Sequence, residues 1–142
     1  MRVLLDVNVV LDVLLQRQEW LADAQSVWDA ADDGRLECCL VASSLTDVFY
    51  IARKLVGEAS ARTIVRNCLD TLSILNVDAK TLEEAYARPE SDYEDALQIA
   101  VATLNSVDAI ISRDSRGFAN SPLPVWSPAH LAKLLKSTKP GP

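Results

Sequence analysis

The run Val3-Leu4-Leu5 is aliphatic at every position and is cut off by an acid, Asp6. Its length and composition predict a strand buried on both faces, the kind that sits inside a parallel sheet with helices on either side. Asp6 then falls at the carboxyl end of that strand, where open α/β sheets bind their ligands. A carboxylate in such an apolar stretch is costly unless its charge is compensated, and a metal ion is one candidate. The alternative is that Asp6 or Asn8 caps the helix predicted to follow.

Strand and helix patterns alternate to the end of the chain, which predicts an α/β domain with a largely parallel sheet. Strands are expected at 3–5, 36–42, 72–77, 107–112 and 125–126. Helices are expected at 9–15, 20–31, 45–55, 59–69, 80–87, 92–104 and 129–135. Ser43 or Ser44 is expected to cap the third helix, Gly34 to close the second, and Ser127-Pro128 to open the last. No composition shift, linker or repeat divides the 142 residues, so one domain over 1–137 with a frayed tail at 138–142 is expected.

A chain of this length buries roughly 68–70% of its unfolded surface, enough for a core without staples. Cys38, Cys39 and Cys68 make an odd count with no ligand spacing. Adjacent Cys38 and Cys39 in a strand would face opposite ways as small apolar residues, which fits a reducing cytoplasm. Asp6 and Asp12 interrupt the first apolar segment, so it is not read as a signal peptide. No run reaches the ~18 apolar residues of a membrane span. The formal net charge of −6 gives no support to nucleic-acid binding, although a metal cluster and local basic patches would offset it.

Four positions put an acid where a strand ends or a helix begins: Asp6, Asp47, the group Asp92/Glu94/Asp95, and Asp114. Carboxylates brought to one edge of a sheet suit a hard cation such as Mg²⁺ or Mn²⁺, which can activate water and neutralise phosphoryl charge without a histidine. Asp47 has a second reading, as an acid near a helix start. Glu94 reads as the partner of Ser91 in a capping box and is expected to be structural. Asp95 shares a helix face with Asp92, and Asp114 follows the buried run Ala109-Ile110-Ile111 much as Asp6 follows its own.

Three segments resemble the PIN-domain nucleases. They are Leu5-Asp6-Val7-Asn8-Val9-Val10-Leu11-Asp12, Asp92-Tyr93-Glu94-Asp95-Ala96-Leu97-Gln98, and Ile111-Ser112-Arg113-Asp114 with Phe118 and Pro122-Leu123-Pro124-Val125 behind it. The resemblance implies a single-domain three-layer α/β/α sandwich with a mainly parallel central sheet, and a ribonuclease dependent on Mg²⁺ or Mn²⁺. It assigns Asp6, Asp95 and Asp114 as metal and catalytic acids. Asp47 takes a further catalytic position that is commonly Glu in the family. Asn8, Asp92 and Ser112 support them; Ser112 stands where the family often has Thr, and Asn8 would orient or hydrogen-bond Asp6. Many small stand-alone members are toxins of the VapC-like kind, which implies RNA and a cognate antitoxin as partners, and a homodimer.

Arg113 and Arg116, flanking Asp114, are candidate phosphate contacts, with Arg53/Lys54 and Arg62/Arg66 extending the track. Trp20, Trp28 and Trp126 are expected in the core or an interface, and His130 to be structural or exposed. Other classes stay open. A non-catalytic PIN-like binding module is one. An aspartyl phosphatase would want a second Asp where Asn8 stands, and a phospho-receiver would want a later Lys that 107–113 does not supply.

Overall fold

The computed structural model describes residues 1–137; the expected frayed tail at 138–142 lies outside them. In chain order the elements are β1 (Arg2–Leu5), α1 (Val7–Leu14), α2 (Gln18–Asp32), β2 (Glu37–Val41), α3 (Ala42–Val56), α4 (Glu58–Thr71), β3 (Ser73–Leu75), α5 (Ala79–Tyr86), α6 (Tyr93–Leu104), β4 (Ala109–Ile111), a 3-10 turn at Arg116–Phe118, β5 (Val125–Trp126) and α7 (Pro128–Ser137). The five strands form one sheet in the order β3-β2-β1-β4-β5, every pair parallel.

β1 is the central strand, with Leu4 opposite Cys39 on one side and Ile110 on the other. Side chains alternate across it, as the two-faced reading requires. Val3, Leu5, Cys38, Leu40, Ala109 and Ile111 join a core closed by α1, α2, α3, α4 and α7. Leu4, Cys39, Val41, Leu75 and Ile110 join a second core closed by α5 and α6. Cys38 and Cys39 therefore serve opposite layers. Burial pushes the Cys38 and Cys68 thiols up to about 12 and Cys39 to about 11, so all three behave as small apolar residues.

The strand order turns back between β1 and β4: the chain runs outward through β2 and β3, then returns to the other side of β1. This switch point is where parallel sheets open a crevice at their carboxyl edge. The backbone N–H of Asp6 donates to the Ile111 carbonyl at 3.0 Å, which carries the β1–β4 pairing one step past the strands and sets Asp6 beside Ser112.

Two helix starts differ from the sequence expectation. β2 passes into α3 with no loop, so Val41 is the N-cap residue and no side chain caps the helix. Ser43 and Ser44 lie inside its first turn, and Ser44 is fully buried. Asp47 is consequently beyond that turn, and its helix-start reading falls away. α6 is capped by Asp92, whose carboxylate accepts from the backbone N–H of Glu94 at 2.9 Å and of Asp95 at 3.1 Å. Shifting the cap from Ser91 to Asp92 leaves Glu94 without a capping partner and frees its side chain. The last helix opens as expected, with Ser127 Oγ accepting from His130 N–H at 3.1 Å, and continues to Ser137.

Candidate active site

A cleft of about 410 Å³ opens at the carboxyl edge of the sheet, walled by α1, α3, α6 and the segment after β4. Asp6, Asp47, Asp92, Asp95 and Asp114 all line it, so the structure gathers the acids singled out in the sequence from four separate stretches of chain. Glu94, Gln98, Gly117, Tyr50 and Lys54 line it as well.

Asp6 has two roles at once. Its Oδ1 accepts from the Val7 backbone N–H at 2.8 Å, capping α1, while Oδ2 accepts from Ser112 Oγ at 2.9 Å. The Ser112 oxygen in turn accepts from the Asp114 backbone N–H at 3.1 Å. One buried hydroxyl thus joins the acid ending β1 to the acid following β4, which is why a side chain with both a donor and an acceptor is needed there. Asn8 does not take the orienting part expected of it. Its Oδ1 accepts from Arg17 at 3.3 Å instead, and Ser112 holds Asp6.

Asp95 is half-buried, and burial together with the charges of Asp92, Asp6, Asp114 and Glu90 pushes its carboxyl up to about 6. Glu94 is pushed up to about 7, first by desolvation and then by its hydrogen bond with Asp47 and the charges of Asp47, Asp92 and Asp6. Asp114 goes the other way. The Arg116 guanidinium clasps it through Nε at 3.0 Å and Nη2 at 2.9 Å and holds its carboxyl down at about 2.

The arginines flanking Asp114 are both engaged in ion pairs. Arg113 turns away from the cleft and donates to Asp12 on α1 at 2.7 and 3.3 Å, with its guanidinium 4.3 Å from the centre of the Trp20 ring. Arg116 is the exposed partner of Asp114. Neither lines the cleft, and among the lining residues Lys54 is the cation. Arg62 and Arg66 border a separate groove between α3 and α4.

The chain matches the PIN domain model over residues 2–116, a span holding every acid of the cleft. It belongs to the PIN-domain family. No curated protein matches it in sequence. Among solved structures, a chain of a toxin–antitoxin complex from Klebsiella pneumoniae is 24% identical, with a TM-score of 0.67 over 89% of this chain and 97% of that one. A DNA-bound VapBC from Salmonella typhimurium has a TM-score of 0.69 at 14% identity, over 90% and 98%. VapC20 of Mycobacterium tuberculosis, a sarcin-ricin loop cleaving toxin, has a TM-score of 0.67 at 13% identity, over 83% and 94%. At these identities the likeness is one of PIN fold.

Besides Tyr50, two cleft residues were given no role from the sequence. Gln98 sits one turn beyond Asp95 on the same helix face and is 2% exposed; its Oε1 has no hydrogen-bond partner. Gly117 approaches Asp95 so closely that a Cβ there would lie 2.4 Å from Oδ2. A polar residue at i+3 from an acid signals the first. Nothing local in the sequence signals the second, because the contact spans two elements. Gly117→Ala is expected to push the Asp95 carboxylate aside, since a side-chain tip yields more readily than backbone. Misplacement by about 1 Å costs on the order of 10²-fold in rate, so any reaction that uses this carboxylate should slow by that order in the variant while its urea midpoint stays near wild type.

Carboxylates outnumber every other polar group lining the cleft, and their crowding leaves negative charge that a hard cation would neutralise. Among the described residues no three such groups stand close enough to form a finished ligand shell. Mg²⁺ does not require one, since it keeps several waters and takes one or two carboxylates directly. The donor set fits the ion.

Proposed function

We propose that this PIN-domain chain is a divalent-metal-dependent endoribonuclease that hydrolyses RNA phosphodiester bonds, and that it is the toxin of a toxin–antitoxin pair. The observation that carries the reading is the convergence of Asp6, Asp95 and Asp114 on one cleft, with Asp47 and Glu94 beside them and the proton affinities of Glu94 and Asp95 raised by desolvation and by the crowding. Crowding of this kind is an arrangement that costs stability in the free chain and suits a cation.

Asp6 and Asp95 would hold Mg²⁺ or Mn²⁺, with Asp114 and Asp47 completing the site. The ion supplies Lewis acidity that generates a nucleophile from water and offsets charge on the phosphoryl oxygens. Ser112 keeps Asp6 oriented by donating to Oδ2, leaving Oδ1 on the Val7 N–H of α1. Glu94 lies against Asp47, and in the metal-free cleft desolvation and the neighbouring carboxylates raise its affinity for a proton. Gln98 closes the floor beneath Asp95.

The toxin–antitoxin complexes among the similar folds support a cognate antitoxin as partner. RNA, a second copy of the chain and a cytoplasmic setting belong to the same proposal. Among the described residues no helix is long and apolar enough to cross a membrane.

The test is cleavage of a mixed pool of structured and unpaired RNA in Mg²⁺, Mn²⁺ or EDTA, with Asp6→Asn alongside. Asparagine caps a helix as well as aspartate, so that variant keeps α1. Cutting is expected with either metal, none in EDTA, and none by Asp6→Asn. A chain that neither cuts nor binds Mn²⁺ would overturn the enzyme and favour a binding module.

A further inference from the structure

One wall of the cleft carries no acid beyond Asp47. Along α3, the residues Asp47, Tyr50, Ile51 and Lys54 all line it. Their spacing of three, four and seven puts them on a single stripe of the helix, an acid at the inner end and a base at the outer. Tyr50 is 57% exposed although it is aromatic, and Phe49 braces its ring edge-to-face at 5.1 Å. Lys54 is exposed, in no salt bridge among the described residues, and is the positive charge of a cleft otherwise lined by acids and neutral side chains.

A helix that shows an exposed aromatic ring and, one turn on, an unpaired ammonium matches the two parts of a nucleotide. The ring offers a face for a base, and the ammonium a charge for the phosphate. A base can stack on a side chain only when it is out of a duplex. We propose that Tyr50 and Lys54 form a nucleotide subsite that takes a base and its adjoining phosphate beside the acids. This rests on the nuclease reading above and adds to it the residues that hold the substrate next to the reacting phosphate.

The test measures binding of a labelled, unstructured oligoribonucleotide to the Asp6→Asn chain across a salt series, with wild-type cleavage in Mn²⁺ run in parallel. Tyr50→Ala is expected to weaken binding roughly 5- to 150-fold, the range for loss of one base stack, with Tyr50→Phe restoring most of it. Lys54→Ala is expected to reduce the slope of log K against log salt by about 0.7, the share of one phosphate contact on a single strand. Tyr86→Ala, at an 81% exposed tyrosine of α5 away from the cleft, should change neither. A fully paired duplex should be insensitive to Tyr50→Ala. Wild type that cuts RNA, with Tyr50→Ala and Lys54→Ala binding as tightly and with the same salt slope, overturns the subsite alone. Wild type that neither cuts nor binds RNA overturns the nuclease reading, and the subsite with it.

Discussion

Arg113→Met is expected to destabilise the fold by about 3 kcal/mol, within the range for stripping one partner from a buried ion pair. Asp12 is completely buried in α1, and Arg113 supplies two of its hydrogen bonds, at 2.7 and 3.3 Å. Without them Asp12 keeps one long contact, to Arg17 at 3.4 Å, so the loss sits at the lower end of that range. Methionine preserves much of the packing on Trp20, which separates the charge effect from lost contact area. The measurement is the urea midpoint at unchanged slope. Asp12→Leu combined with Arg113→Met should be less destabilised than Arg113→Met alone, because no charge is then left buried. Arg116→Met makes the contrast. Its side chain is 91% exposed, and losing its pair with Asp114 should leave the urea midpoint close to wild type.

Asp95→Asn is expected to lower the cleavage rate roughly 10²–10³-fold, the scale for removing one preorganised charged group from a reaction centre. The same change should make the metal-free protein more stable at pH 8. Asp95 and Glu94 have native pKa values of about 6 and about 7, against about 4 in an unfolded chain. Below pH 4 both states are protonated at these groups and no penalty exists. From there to about pH 7 the native state holds protons that the unfolded state has released, so these two groups make stability fall as pH rises. Asp114, held down at about 2, has the opposite sign, but its window closes near pH 4 and does not overlap. Melting temperatures of the EDTA-treated chain should therefore drop between pH 5.5 and pH 8. Saturating Mg²⁺ should remove most of the drop, and Asp95→Asn should remove part of it without metal. A melting temperature flat across that range would contradict the crowding at the cleft.

What was legible in the sequence depended on range. β1 and β4 announced themselves through uninterrupted apolar runs, and the acids ending them, Asp6 and Asp114, were visible because an acid after such a run is costly. Ordered strand–helix alternation was enough for a parallel sheet. Cap assignments failed where two adjacent polar residues compete, as Ser91 and Asp92 do, since moving the cap by one residue moves the N3 position, whose side chain reaches back to the cap, from Glu94 to Asp95. That shift hid Glu94, which points into the cleft. Arg113 was misread for the opposite reason. Its partner, Asp12, is 101 residues away, and no local pattern distinguishes an arginine bound to a buried acid from one awaiting a phosphate. The close approach of Gly117 to Asp95 is likewise a meeting of distant segments.

The hydrogen bond from Ser112 to Asp6 joins residues 106 positions apart, and β1 finds its neighbour β4 only after most of the chain has been made. During synthesis the first acid, its helix and the α3 wall emerge long before the hydroxyl that orients that acid. Pairing across such a separation is slow, because loop closure precedes any reward from contacts. A nascent chain halted anywhere before Ser112 would hold Asp6 only through its local contact with the Val7 N–H, without the hydroxyl that fixes Oδ2. The order of assembly thus makes the competence of the cleft a late event in the life of each molecule.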